Sequence, residues 1–582
     1  MRHCDERTFE AIDGTPIFYR YWAGTSGSGD RAVVFLHRGH EHSGRLQHVV
    51  DELDLPEYSI FAWDARGHGR SPGRRGYAPS LGTLIKDLDT FVRHIGSVHG
   101  TPVENISLVA QSVGSVLAAA WVHDCAPKVR SMVLAAPAFK VKLYVPLARP
   151  VLRLLHSLFG DFTVRSYVKA NYLTHDPERI AAFRSDPLIT RAISVKLLLN
   201  LYDTAGRVVA DAHAIQVPTQ VLISGSDWVV SKKPQLDFFE RLGSPVKEIH
   251  ELKGFYHDTL AEIDRHLAIG KARDFILKSF ARPFERPSLL DADRGSPTRE
   301  EFDRLNRSLR RVSPRAIAFG VIRAGLHTGG RLSDGIRLGL ETGFDSGSTL
   351  DYVYRNQISG ITPLGKLIDW FYLNSIGWRC IRIRKQHLER FLSRTVIELR
   401  KSGVPVRIVD VAAGHGRYVL DSVREHASSV DRILLRDYSD INVQQGTALI
   451  GERGMQGLAH FEKGDAFDRK SLATLQPRPT IAVVSGLYEL FPGNDLLRQS
   501  LGGLADAIEP VGYIIYTGQP WHPQLEFIAR TLPSHRGHKP WIMRRRTQAE
   551  LDQLVEAAGF RKVDQLTDDW GIFTVSLAQR AA

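Results

Sequence analysis

The chain has 582 residues, too many for one hydrophobic core, so two or three domains are expected, and its 43% hydrophobic and 24% charged content is ordinary for globular protein. Three cysteines, Cys4, Cys125 and Cys380, lie far apart without paired spacing, which argues against a disulfide framework or a zinc site and fits a reducing compartment; no metal is expected. A net charge of +12 and a pI near 9.5 suit anionic partners such as phospholipid surfaces, nucleic acid or acidic substrates, although a plain basic enzyme is the favoured reading. The N-terminal stretch has no apolar core of a signal peptide, and no apolar run reaches the roughly 20 residues that span a bilayer, so a cytoplasmic protein is expected.

Residues 8–22 and 31–37 read as the opening strands, the second (AVVFLH) apolar enough to lie inside a sheet covered on both faces. Residues 79–99 read as a helix with one buried stripe: Leu81, Leu84, Ile85, Leu88, Phe91, Val92 and Ile95. In residues 105–122, NISLVAQSVGSVLAAAWV, an apolar strand, a small-residue corner and an Ala-rich helix follow one another within a short span. Ala110-Gln111-Ser112-Val113-Gly114 is an A-x-S-x-G form of the nucleophile elbow, in which a tight turn lifts the serine hydroxyl above the sheet. The Val113 N–H and the helix N-terminus would face a developing oxyanion.

Residues 132–135 form the next strand. Two later apolar strands, 220–224 and 247–252, end in Gly225-Ser226-Asp227 and in Lys253-Gly254-Phe255-Tyr256-His257. A serine, then an acid, then a histidine, each at the end of a successive strand, is the chain order of an α/β-hydrolase, so Ser112, Asp227 and His257 are the candidate triad. Between the strands lies an insertion, about 138–215, expected to cap the pocket. Its Leu147, Val151, Leu154, Leu155 and Leu158 fall at helical spacing; they either line an acyl channel, touch a membrane, or pack the cap onto the body, the last being favoured.

Residues 36–45 (LHRGHEHSGR) resemble the H-G-x-G-E-H-S-G-R loop of monoglyceride lipases and lysophospholipases, and residues 64–71 (DARGHGRS) resemble their D-x-R-G-H-G-x-S turn. The resemblance covers roughly residues 8–280 and implies a serine ester hydrolase whose second oxyanion N–H comes from Gly39. The string Thr174-His175-Asp176-Pro177 looks like a cap element of the same family and is expected to cap a helix rather than to catalyse. Arg38, Ala110 and Gln111 depart from the family pattern, and these departures bear on substrate range.

Residues 282–314 are charged and proline-bearing, and the domain boundary is placed there. The glycine-rich segment that follows, GLHTGGRLSDGIRLGLETGFDSGSTLDYVY, is read as connecting structure. In residues 361–403, Trp370, Phe371, Tyr372 and Trp378 run into Arg379, Arg382, Arg384, Lys385, Arg390 and Arg394. That helical stretch is either a membrane-interface helix or, as favoured, packed through Ile376, Ile381, Ile383, Leu388, Phe391 and Leu392 with its arginines in water.

Residues 406–411 (VRIVDV) are a buried strand running into Ala412-Ala413-Gly414-His415-Gly416 and then helix, an arrangement suited to a nucleotide-type cofactor. A second strand, 432–436, ends in Asp437, whose carboxylate can accept both ribose hydroxyls, and Gly464-Asp465-Ala466 stands at a third strand end. Strands at 481–485 and 512–516 and a final antiparallel strand at 571–577 complete the pattern. An NAD-binding Rossmann domain is the competitor. These residues resemble the class I S-adenosylmethionine-dependent methyltransferases over roughly residues 390–582. The resemblance makes Asp410 the acid of the glycine motif, Ala412, Gly414 and Gly416 the loop, Asp437 the ribose acid, and Asp465, Ala466 and Ser485 further cofactor contacts. His522, in the wall after the fifth strand, is either a base or, as favoured, a structural loop histidine.

The expected fold class is thus α/β: an α/β-hydrolase fold with a helical cap in residues 1–285, a linker and helical bridge in 286–389, and a Rossmann-like class I methyltransferase fold in 390–582. The whole chain is similar to bacterial bifunctional α/β-hydrolase/class I methyltransferases. The implied cofactor is S-adenosylmethionine and the implied substrate a small-molecule or lipid ester, with peripheral contact at an anionic membrane and no nucleic-acid partner. Two alternatives remain: a hydrolase with a cofactor-binding regulatory module, and a peripheral membrane scaffold on degenerate enzyme folds.

Overall fold

The computed structural model describes residues 2–25, 30–310 and 312–581. They form two compact units, 1–287 and 288–582.

The strands of the first unit are β1 (Asp5–Glu10), β2 (Pro16–Trp22), β3 (Ala32–Leu36), β4 (Ser59–Trp63), β5 (Ile106–Gln111), β6 (Ser131–Ala135), β7 (Thr163–Arg165), β8 (Ala192–Ser194), β9 (Thr219–Ser224) and β10 (Lys247–Leu252). Eight of them make one sheet in the order β1-β2-β4-β3-β5-β6-β9-β10, and β7 and β8 pair separately. From β4 onward the neighbours are parallel, while β1 and β2 join antiparallel. Alternate residues feed two cores: Val34, Leu36, Leu108 and Leu134 pack on one face, Val33, Phe35, Val109 and Val133 on the other. That two-sided burial is why these strands read as unbroken apolar runs.

The helix Leu81–His99 covers one face. Ser80 caps it by accepting the Thr83 N–H, Gly100 ends it at φ 71°, and all seven expected stripe positions are buried. In the cap, the helix Val195–Ala210 is buried along one face, but the helix Ala148–Phe159 buries no residue. The favoured packing of the cap stripe therefore does not hold. Leu154 is 59% exposed and Leu158 66%, Leu155 is half-buried, and Val151 turns toward the cavity described below.

The second unit continues with β11 (Arg407–Asp410), β12 (Arg432–Asp437), β13 (Ala459–Lys463), β14 (Ile481–Val484), β15 (Tyr513–Gly518), β16 (Phe560–Thr567) and β17 (Thr574–Arg580). Their order is β13-β12-β11-β14-β15-β17-β16, with β17 antiparallel to both neighbours. The direction of winding reverses between β11 and β14, the crevice where open α/β sheets bind ligands.

The glycine-rich segment is not connecting structure. It forms the last turn of the helix Pro314–His327 and nearly all of the helices Asp334–Thr342 and Gly347–Arg355, the last two capped by Ser333 and Ser346, and with Pro363–Leu373 they pack onto the loops of the second sheet. The glycines serve close approach: a Cβ on Gly335 would stand 2.6 Å from Tyr372 and 2.7 Å from Tyr352, and one on Gly339 2.6 Å from Phe344. Residues 288–389 thus belong to the second unit rather than lying between two domains. The helix Ile376–Lys401 buries Ile381, Leu388, Phe391 and Leu392 as favoured, yet Arg384 is buried with them.

Replacing Gly335 with alanine should lower the unfolding free energy of the second unit by about 1–3 kcal/mol, because two tyrosine rings have to move. Calorimetric melting of the full chain, with the first unit's transition unchanged, checks this.

Candidate functional sites

Ser112 sits between β5 and the helix Val113–Cys125 at φ 55° and ψ −114°, a strained turn for a side chain to occupy. The helix can start there because residue 114 is glycine: a Cβ would lie 2.5 Å from the Leu36 oxygen and 2.7 Å from that of His37. The structure brings the three expected side chains together. His257 Nε2 stands 2.8 Å from Ser112 Oγ, and His257 Nδ1 2.8 Å from Asp227 Oδ2. Asp227 Oδ1 accepts the N–H groups of Val229 (2.6 Å) and Val230 (2.9 Å). Burial alone would raise the Asp227 carboxyl, but His257 and those N–H groups outweigh it and hold it below the usual range. Gly39 and Val113 adjoin, since a Cβ on Gly39 would be 3.3 Å from Val113 Cγ2, and both line a cavity of about 390 Å³ floored by Ser112 and His257. Its walls are apolar, among them Leu84, Leu143, Leu197 and Leu201.

The motif loops brace this floor. Asp64 Oδ1 accepts the Ser43 N–H and hydroxyl, both at 2.6 Å, while Oδ2 accepts the Arg70 N–H at 2.8 Å. Arg66 grips Asp87 with two nitrogens, at 2.8 and 2.9 Å. Asp176 caps the helix Pro177–Ser185, as expected, and makes no contact with the triad among the described hydrogen bonds.

What sequence reasoning missed is the partnership of the departures. Arg38 is 3% exposed; it donates to Glu41 Oε1 at 2.5 Å and lies 3.4 Å from Asp258 Oδ2. Gln111 donates to the other Asp258 oxygen at 2.8 Å. Two of the three residues foreign to the lipase pattern therefore converge on the carboxylate next in sequence to His257. Burial would raise Asp258, but Arg38 and Gln111 outweigh it and lower its pKa.

In the second unit Asp410 ends β11 fully buried, and burial pushes its carboxyl up to about 7 against the hydrogen bond from Tyr418. Its Oδ1 has no partner, nor has Ser485 Oγ just past the neighbouring strand β14. Ala412 and Gly414 carry the chain to Gly416, which at φ 73° starts the helix Arg417–Val423. Asp437 ends β12 and accepts the N–H groups of Gly414 and Ser439, each at 3.0 Å. Past β13, Asp465 is exposed and accepts the Phe467 N–H, while Ala466 is buried. Two unpartnered buried oxygens at adjacent strand ends, beside a glycine loop, fit a cofactor that has a cationic polar end.

The helix Gly347–Arg355 covers that loop: Asp351 binds Arg417 at 2.5 and 3.2 Å, and Gly414 lies against Gly347. No motif announced this cover. His522 Nδ1 accepts the Gln524 N–H at 3.0 Å, and burial lowers its pKa to about 4, so it is a neutral imidazole whose proton sits on Nε2. That argues against a base. Among the described residues no group of His, Cys, Asp and Glu could hold a metal ion, and no helix is long and apolar enough to cross a membrane.

A family model described as "Putative methyltransferase" matches residues 272–580, just over half of the chain. The chain belongs to that methyltransferase family. Residues 27–264 match a second model, described as "Serine aminopeptidase, S33", so an α/β-hydrolase domain precedes the methyltransferase domain. "Uncharacterized protein YnbC" of Escherichia coli (strain K12) is 53% identical over 99% of this chain and 98% of its own length. The "Monoacylglycerol lipase" of Mycolicibacterium smegmatis is 26% identical over 47% of this chain and 96% of its own, and "Phospholipase YtpA" of Bacillus subtilis 24% over 42% and 93%. The chain is a serine-hydrolase domain followed by a methyltransferase domain.

Arg38→Ala should destabilise the first unit by about 3–5 kcal/mol, because Asp258 would lose its paired cation while buried and Glu41 would keep only Arg45. Adding Asp258→Asn should cost less than the sum of the two single changes in urea unfolding.

Proposed function

We propose that the first unit is a serine esterase acting on lipid esters and that the second transfers methyl groups from S-adenosylmethionine. The observation that carries the esterase reading is the 2.8 Å contact from His257 Nε2 to Ser112 Oγ at the floor of an apolar cavity. His257 takes the Ser112 proton on Nε2 while Nδ1–H stays bonded to Asp227, and Ser112 Oγ attacks the ester carbonyl. The N–H groups of Gly39 and Val113 receive the oxyanion, and His257 returns its proton to the leaving alcohol. A cavity of about 390 Å³ walled by leucines and valines suits an acyl chain, and the relatives' names, a monoacylglycerol lipase and a phospholipase, point the same way. The exposed stripe of the cap helix favours substrates presented by a lipid surface.

S-adenosylmethionine, when bound, supplies an electrophilic methyl on a sulfonium centre. Asp410 and Ser485, each with an unpartnered buried oxygen, would hold its polar end, Ala412, Gly414 and Gly416 would admit its backbone-close approach, Asp437 would bind the ribose, and Asp465 and Ala466 would flank the base. The orphaned Asp410 and Ser485 oxygens support binding of this cofactor type over an NAD domain, whose loop strand has no such acid.

Ser112→Ala should reduce p-nitrophenyl ester turnover by at least about a thousandfold with an unchanged melting profile. The Asp410 carboxyl is raised, so it stabilises the fold fully only below its ordinary pKa near 4 and loses that contribution as pH rises through about 7. A cationic cofactor needs the carboxylate. Affinity for S-adenosylmethionine should therefore rise by up to about tenfold per pH unit below 7 and level off above it, and Asp410→Asn should abolish the slope; calorimetric titration at several pH values reads this.

A further inference from the structure

The second unit contains a cavity of about 330 Å³ that the assignments above leave unused. Gly486 and Glu489, just beyond Ser485, form one wall, so it adjoins the crevice expected to hold the cofactor. Phe344, Tyr372, Trp378, Phe527, Trp541 and Phe573 give it aromatic walls. Its unpartnered polar atoms are mostly N–H donors, with the Tyr372 hydroxyl able to donate or accept. Gln519 is 3% exposed with no partner for Nε2, and Trp541 is 8% exposed with none for Nε1. His522 presents Nε2–H on the side of Gly377, itself a lining residue. Apolar walls with converging N–H donors suit a lipophilic molecule bearing an oxygen.

The cavity reaches the surface at an unusual face. Phe371 lines it and is yet 62% exposed. On the same helix, Pro363–Leu373, Leu364 (57%), Leu367 (52%) and Trp370 (45%) are also exposed. The helix Pro314–His327 buries no residue, exposes Ile317 (58%) and Val321 (68%), and contributes Leu326 to the cavity. Of the fifteen large apolar side chains exposed among the described residues of this unit, ten lie between 312 and 371. The exposed charges of these two helices are all cationic: Arg315, Arg323 and Lys366, with Asp369 the sole acid, fully buried. Arg315 is paired with Glu526, so Arg323 and Lys366 carry the positive charge of this face, and apolar side chains among such cations complement an anionic bilayer surface.

We propose that this face docks on an anionic phospholipid surface and that the cavity takes its methyl acceptor from there, an oxygen-bearing molecule dissolved in the lipid. The acceptor half rests on the methyl-transfer reading; the docking half does not. The full chain should co-sediment with phosphatidylglycerol-containing vesicles and not with pure phosphatidylcholine. Ile317→Gln/Val321→Gln/Leu364→Gln/Leu367→Gln, whose four sites do not line the cavity, should weaken that binding about tenfold, as should Arg323→Glu/Lys366→Glu, which alters only exposed charge. The cap variant Leu154→Gln/Leu158→Gln should retain vesicle binding. With labelled S-adenosylmethionine and vesicles of total bacterial lipid, label should enter the organic phase. Absent vesicle binding, binding lost only in the cap variant, or a concentration-dependent dimer that the four-glutamine variant dissolves each overturns the docking. Label confined to water-soluble products overturns the lipid acceptor while leaving methyl transfer intact. Label in neither phase, with cofactor binding retained, refutes methyl transfer itself, and the acceptor assignment falls with it.

Discussion

A parallel strand covered on both faces can carry polar chemistry only at its ends, and that constraint sets where every candidate functional residue of this chain stands. In the first unit β5, β9 and β10 deliver Ser112, Asp227 and His257 from their carboxyl ends. In the second unit β11, β12 and β14 deliver Asp410, Asp437 and Ser485 in the same way. The central strands among them are nearly featureless, mostly Val, Ile, Leu and Ala packed into two cores each, while the edge strand β10 is polar and half-exposed. Their rigidity lets residues more than a hundred positions apart meet at hydrogen-bond distance without a disulfide or a metal.

Burial at these ends has an electrostatic consequence that the two units handle differently. In the hydrolase every buried acid near the triad is given a partner: Asp227 has His257 and two N–H groups, Asp258 has Gln111 and Arg38, and Glu41 has Arg38 and Arg45. Charges so satisfied hold a geometry fixed before substrate arrives. In the second unit Asp410 has one oxygen bonded to Tyr418 and one without a side-chain partner, and burial raises its pKa against the Tyr418 bond and the Ala412 N–H. A satisfied network marks a site complete in itself; a half-satisfied acid marks one that a cation completes.

The legibility of the sequence followed the same division. Motifs at strand ends were readable, since the elbow, the acid and histidine after it, and the glycine loop each need particular residues at short spacing. The cap stripe misled because helical periodicity records that one face is apolar and says nothing about what covers it: Leu154 and Leu158 have the spacing of core residues and stand in solvent. The glycine-rich extension misled for the opposite reason. Glycine has low helix propensity, but Gly335 and Gly339 are there because tyrosine and phenylalanine rings lie where a Cβ would be, a fact of tertiary packing. Arg38 and Gln111 were visible as departures from a pattern, yet their shared target, Asp258, lies some 150 to 220 positions away and emerges only from the fold.

Exposed apolar helices are costly to keep on a monomer, at about 25 cal/mol for each Å² that could be buried, and they invite association. Scattered singly they need no account, as with Ile12 or Val98. Here they are clustered, and in each unit the cluster shares residues with an apolar cavity: Val151 joins the cap stripe to the triad cavity, and Phe371 joins the extension to the cavity beside Ser485. A stability argument alone would place polar residues at those positions, since neither the helix Ala148–Phe159 nor Pro314–His327 has a fully buried residue and each is held only by half-buried side chains such as Leu155 and Leu326. A cavity whose ligand dissolves poorly in water has the opposite requirement. Its entrance must remain apolar so that the ligand passes from lipid to protein without first being hydrated, and the cations around it must hold the entrance against the surface that carries the ligand.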